Sequence, residues 1–217
     1  MSISLAKDVI TTEIEGLYAV RDRLGLEFDK AIELILTCPT RLVVTGIGKS
    51  GIIGQKIAAT LNSTGTAAFF LHPVEAMHGD LGLVVSTDVV LAISYSGETP
   101  ELMVLLSSMV QRNIPVIALC GREDSSLARL ASAVLNVEVP KEACPLGLAP
   151  TASTTATLAL GDALAVVLLE RKQFRVEDFR RNHPGGSLGA RLKVAIREVM
   201  LTGNAVPKVN LSASLSE

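Results

Sequence analysis

The chain has 217 residues, 48% apolar and 19% charged, with 20 Lys and Arg against 22 Asp and Glu for a net charge of −2. That length suits one α/β domain with a short extension. Balanced charge without a block of either sign excludes the concentrated basic face that a nucleic-acid backbone requires, and five Phe, two Tyr and no Trp exclude a base-stacking platform.

In chain order, residues 4–37 read as helix, with Val9, Ile10, Ile14, Leu17, Val20 and Leu24 at helical spacing, a break near Gly25 and a second helical piece over 27–36. The register then changes. Residues 41–45 form a short buried strand, a glycine-rich turn follows, and a helix runs over 51–63. Four further strands are predicted at 66–71, 88–94, 115–120 and 134–139, with helices at 100–112 and 125–131 between them. A long helix over 151–171 has an apolar surface wide enough to be buried between layers or subunits, which predicts an oligomer. Apolar strands alternating with helices mean a parallel sheet covered on both faces. No consecutive apolar run approaches the roughly 20 residues that cross a bilayer, and the opening MSISLAKDVITTEIEG carries charges where a secretion signal needs an apolar stretch. Cys38, Cys120 and Cys144 are widely spaced, with no C-x-x-C, and read as reduced thiols of a cytoplasmic protein.

The first strand ends in TGIGKSG, residues 45–51. Gly46, Gly48 and Gly51 fit the dinucleotide fingerprint, but the second strand ends in Leu71-His72-Pro73, without the acidic residue that would hold a ribose. The nucleotide P-loop suggested by Gly48-Lys49-Ser50 fails on spacing, because position 43 is Val. What remains is a glycine turn into a helix amino terminus, with open N–H groups and Lys49 beside them, suited to a small anion such as a phosphate ester. A plain turn with a solvated lysine would look the same in isolation. However, the third strand ends in SYSGET, residues 94–99, where Ser94, Ser96 and Thr99 are short enough to touch a phosphate and Gly97 lets the backbone approach it. Thr99 before Pro100 is also a natural helix cap, which accounts for only part of that stretch. Ligands of open parallel sheets sit outside the carboxyl ends of the strands, so the two turns are expected to face one crevice. His72, His78 and His183 lie in loop-like contexts beside Pro or Gly, and His-x5-His matches no common zinc motif. Glu101 and Glu142 fall just beyond strand ends, where each alone reads as a solvated glutamate.

Together these stretches resemble the sugar isomerase (SIS) domain, and within it the D-arabinose 5-phosphate isomerase family. GIGKSGIIGQKIAATLNSTGT, FFLHPVEAMHGDLG, SYSGETPE, EACPLGLAPTASTTATLALGDALA and DFRRNHPGGSLGARL carry the match, from about residue 41 to 192. SGET alone marks only the broad fold; HPVEAMHGDLG, EACPLGLAPT and NHPGGSLG are more specific. The resemblance implies a five-stranded parallel sheet flanked by helices, a three-layer sandwich of flavodoxin or Rossmann type, over residues 1–195. Residues 196–217 would be a linker and the shortened opening of a CBS module. It implies interconversion of D-ribulose 5-phosphate and D-arabinose 5-phosphate through an enediol, for Kdo and lipopolysaccharide synthesis. The residues so implied are Lys49, Glu101, Glu142 and His183 as catalytically relevant, with His78 lining the site. Gly65, Thr66 and His72 are implied as substrate contacts, beside Gly48, Ser50, Ser94, Ser96, Gly97 and Thr99. No cofactor is required; an inhibitory zinc would take His72. A homotetramer would bring His183 into a neighbouring pocket. Glu142 is the favoured carbon base and His183 the alternative, with Lys49 stabilising the oxyanion. The rival from another class is a non-catalytic sugar-phosphate sensor, since SIS domains also serve in regulators. Those carry about 75 residues of DNA-binding domain before the sheet, and only about 40 precede the first strand here.

Overall fold

The computed structural model describes residues 2–184, 200–209 and 213–214. The chain divides into two compact units, Met1–Arg175 and Val176–Glu217. The first holds α1 (Ser2–Asp22), α2 (Leu26–Leu36), β1 (Leu42–Gly46), α3 (Lys49–Ser63), β2 (Ala68–Leu71), α4 (Pro73–Met77), β3 (Val89–Ile93), α5 (Pro100–Gln111), β4 (Val116–Cys120), α6 (Ser126–Leu130), β5 (Ala133–Asn136) and α7 (Ala152–Arg171). In the second unit the described residues form α8 (Val176–Asn182) and a 3-10 turn, Gly203–Ala205. The expected boundary at 195/196 lies outside the described residues, as do residues 196–199, 210–212 and 215–217 of the stretch expected to open a CBS module.

All five strands are parallel, in the order β2-β1-β3-β4-β5. Successive side chains of a strand point to opposite faces, and the central strands use both. Leu42, Val44, Leu91, Ile93, Ile117 and Leu119 join the core beneath α2, α3 and α7. Val43, Val90, Ala92, Val116, Ala118 and Cys120 join the core beneath α4, α5 and α6. That double burial is why these strands read as unbroken apolar runs. α7 lies close on α3: a Cβ added to Gly161 would fall 2.4 Å from Ile57. By length and composition alone α7 could cross a membrane, but half of that stretch is buried within the unit and Asp162 pairs with Lys56 at 2.5 Å.

Two polar devices hold the sheet. Asp88, fully buried at the start of β3, accepts from Thr40 Oγ1 at 2.6 Å, the Arg41 amide at 3.2 Å and the Val85 amide at 2.9 Å, with the Arg41 guanidinium 3.7 Å away. It ties the amino ends of β1 and β3 together. On the outer edge of β5 the Val134 amide donates to Glu27 Oε2 at 2.9 Å, closing a group that could otherwise pair with another strand.

In this strand order the chain leaves β1 for one side of the sheet and returns to place β3 on the other. The carboxyl ends of β1 and β3 therefore border the crevice where open α/β sheets bind ligands.

Candidate active site

Both turns flagged in the sequence meet at this crevice. After β1, Gly48 takes φ +60° and α3 begins at Lys49 with no side-chain cap. Gly51 and Ile52 are the first amides of α3 with backbone acceptors, so the Lys49 and Ser50 amides carry the helix's partial positive charge unshared. A small cleft of about 40 Å³ is lined by Lys49, Ser50, Tyr95, Pro150, Ser153 and Thr157, among others. The amino ends of α3 and α7 thus share one cavity with the turn after β3.

That turn is tightly pre-organised. Ser94, buried, pairs its hydroxyl with Thr99 Oγ1 at 2.9 Å and accepts from the Gly97 amide at 3.1 Å. Thr99 occupies the N-cap position of α5 without bonding the helix, because its hydroxyl is turned to Ser94. Gly97 has φ +67°, and a Cβ there would meet Ser125 Oγ at 2.2 Å. Packing against the α6 corner therefore requires glycine there, whatever approaches from the cleft. Glu98 accepts the Ser126 amide at 2.9 Å and the Tyr95 hydroxyl accepts the Val139 amide at 3.2 Å. Ser96 is exposed, and its hydroxyl oxygen accepts the Glu98 amide at 3.3 Å while its proton remains to donate.

Glu142 lies on the segment between β5 and α7. Its Oε2 accepts from the Thr151 amide at 2.8 Å, Thr151 Oγ1 at 2.9 Å and the Ser153 amide at 3.3 Å. The carboxylate thereby serves the open end of α7, whose N-cap Thr151 makes no side-chain bond to the helix itself. Burial pushes the Glu142 carboxyl up, but the bonds from Ser153 and Thr151 outweigh it and hold it below its ordinary value. Two residues on, the Ala149 and Leu146 amides lower the Cys144 thiol.

The remaining expected residues are distributed unevenly. Glu101 is exposed on the first turn of α5, at the same sheet edge. His72 follows β2 at that edge and caps α4, its Nδ1 accepting the Val74 amide at 3.3 Å, and His78 follows the end of α4. The stretch read as a histidine-flanked loop is thus a short helix with Pro73 in its first turn. Gly65 and Thr66 precede β2 and so lie at the opposite, amino edge. There Phe174 packs 2.3 Å from the position of a Cβ on Gly65, and Lys172 Nζ donates to Thr66 Oγ1 at 2.9 Å. Within one chain the structure does not bring them to the cleft. His183, in the second unit, stacks on Phe179 with centroids 4.0 Å apart and bonds the Phe179 carbonyl through Nδ1 at 2.8 Å. A carbonyl can only accept, so Nδ1 carries the proton of that bond. Among the described residues no three His, Cys, Asp or Glu gather as a metal site. A metal on either His72 nitrogen would break its cap, because Nδ1 must itself bind the metal or take the proton that Nε2 gives up.

Sequence reasoning missed Tyr95, Thr151 and Ser153. The signal available was a run of hydroxyls, Thr151 to Thr157, opening a long apolar helix, where Ser and Thr are poor helix-interior residues.

The SIS domain family model matches residues 35–167. The chain is 51% identical over 211 residues to the arabinose 5-phosphate isomerase KdsD of Salmonella typhi, covering 97% of this chain and 64% of that protein. It is 45% identical over 215 residues to the arabinose 5-phosphate isomerase GutQ of the same organism, covering 99% and 67%. The solved structure of E. coli CFT073 c3406 in complex with arabinose 5-phosphate superposes with a TM-score of 0.81 at 42% identity, over 84% of this chain and 97% of that one. The chain thus spans about two thirds of the length of the curated relatives it matches.

Proposed function

The chain belongs to the SIS domain family, and on that premise we propose that it is an aldose–ketose isomerase interconverting D-ribulose 5-phosphate and D-arabinose 5-phosphate. The relatives' names and the neighbour bound to arabinose 5-phosphate support the substrate class. The observation that carries the reading is the cleft at the β1/β3 switch point, where Lys49 and Ser50 face Tyr95 and the hydroxyl-rich start of α7.

The phosphoryl group sits against the Ser96 hydroxyl and the amides opening α3 and α5, held by hydrogen bonds to rigid donors. The reaction removes the proton on C2 of the open-chain aldose, forms the 1,2-enediolate and returns a proton to C1, giving the ketose. Glu142 takes the carbon proton through Oε1, since Oε2 is committed to Thr151 and Ser153. Lys49 stabilises the developing oxyanion electrostatically. Glu101 orients Lys49 or a histidine, and His78 serves the sugar's oxygen protons. In a homotetramer, His183 enters from a neighbouring subunit and is the alternative carbon base. The same reading places the enzyme in the cytoplasm, without a required cofactor, supplying the arabinose phosphate from which Kdo and lipopolysaccharide are made. Zinc would inhibit by pulling His72 off the α4 cap.

Incubating the purified chain with D-ribulose 5-phosphate in heavy water tests this. The expected result, read by NMR, is D-arabinose 5-phosphate carrying deuterium at C2. Saturable binding of the sugar phosphate without turnover would instead identify a sensor.

A further inference from the structure

We infer that Thr151 is a positioning residue for Glu142, one that makes its Oε2 a fixed anchor and leaves Oε1 as the working oxygen. The inference rests on the isomerase reading for its catalytic meaning, though not for its geometry. Thr151 meets Glu142 twice, through its amide at 2.8 Å and its hydroxyl at 2.9 Å, and the Ser153 amide adds a third donor to the same oxygen at 3.3 Å. The hydroxyl has one rotor setting that serves this arrangement. Thr151 Oγ1 accepts the Ala143 amide at 2.9 Å, so its proton is left to donate to Oε2. Ala143 directly follows Glu142, and the closed circuit therefore grips the carboxylate and its backbone together.

Three donors on one oxygen concentrate the carboxylate's charge there and orient the group about a single point. All three of these bonds fall on Oε2, and the Ser153 side chain also helps to hold the carboxyl down. Ser153, which shares the grip, also lines the cleft with Lys49. Burial raises the proton affinity of Glu142, and the Ser153 and Thr151 bonds lower it by more. Charged or titratable groups nearby are Lys141 and Cys144 on its own segment, Lys49 on α3, and Glu13 of α1, which accepts from Thr155 Oγ1 one turn along α7 at 3.0 Å. No neighbouring charge is among the causes of the Glu142 shift.

Thr151→Val keeps the branched shape and the amide donor and removes only the hydroxyl. The first readout needs no activity: carboxyl 13C NMR titration of glutamate-labelled protein, with the Glu142 resonance assigned through Glu142→Gln. The expected result is a rise in the Glu142 midpoint of about one pH unit in Thr151→Val, reversed in Thr151→Ser. The second readout is the pH profile of kcat/KM for D-arabinose 5-phosphate. A base must be deprotonated to act, so the acidic limb should move upward by the same amount, with kcat about 10-fold lower and KM nearly unchanged. In the Glu142→Gln background the Thr151→Val change should add nothing. An unmoved Glu142 midpoint overturns the inference. So does an equal kcat loss in the Glu142→Gln background, which would mark a merely structural threonine. Absence of turnover in the unmodified protein would defeat the isomerase reading, and the titration would still decide whether Thr151 holds the carboxylate.

Discussion

Within SYSGET, similar residues do different work. Ser94 is buried and spends its hydroxyl on Thr99 and the Gly97 amide, so it builds the turn. Ser96 is exposed and its hydroxyl proton is available to a ligand. Ser94→Ala should therefore lower stability by about 1 kcal/mol, a fall in Tm of roughly 2–4 °C. Ser96→Ala should leave Tm within about 1 °C but raise KM for the sugar phosphate on the order of 10-fold, as loss of a hydrogen bond to a charged group does. Thermal unfolding and steady-state kinetics on the two variants check the division; a large KM effect from Ser94→Ala with none from Ser96→Ala would reverse it. In the sequence the three hydroxyls look alike, so the turn is legible as polar and compact while the division of labour is not. It depends on which hydroxyls the turn consumes internally.

At the scale of elements, legibility follows period and length. The β1, β3 and β4 runs and the helices α3, α5 and α7 lie within a residue or two of the predicted spans, because their apolar patterns are long and consistent. α4 has only five residues, too few to show a period; its signature is a capping His72 and Pro73 in the first turn. Gly65 and Thr66 follow a helix and precede a strand, so in a parallel sheet they are bound to the amino edge, away from the cleft. Strand polarity is readable from the sequence, so their distance from the cleft of their own chain follows from it. The element most dependent on a single group is the β1/β3 pair. Asp88→Ala would take the shared acceptor from the Thr40 hydroxyl and the Arg41 and Val85 amides and leave a void where the buried carboxylate sat. The expected cost is about 3 kcal/mol, a fall in Tm of roughly 6–12 °C, whereas Asp88→Asn, which can still accept, should lose less. Equal losses in the two variants, read by calorimetry, would mean that the carboxylate's charge and not its acceptors holds the strands.

At the scale of the whole molecule, the cleft borders open surface and His183 belongs to the second unit, so the proposed chemistry depends on assembly. The face available for it is on α1, which packs along α7 through Gly16 and Val20. Its opposite side carries Ile3 at 74%, Ile10 at 59%, Ile14 at 41% and Tyr18 at 54% exposure, spaced as one helical stripe. Large apolar side chains in such a row lose free energy to water unless another surface covers them, at about 25 cal/mol for each Å² buried. The occupant that the proposed homotetramer supplies is a second copy of the same stripe, which a two-fold axis makes self-complementary. Ile10→Asp with Ile14→Asp should leave the fold intact, because neither residue is in the core. Each carboxylate would then meet a like charge across the axis, and sedimentation equilibrium should read a smaller species than the unsubstituted chain. If activity falls with that mass and far-UV circular dichroism is unchanged, assembly completes the site. A variant that keeps its mass would place the subunit contact on another face, and one that loses mass but keeps full turnover would remove the neighbour's His183 from the mechanism.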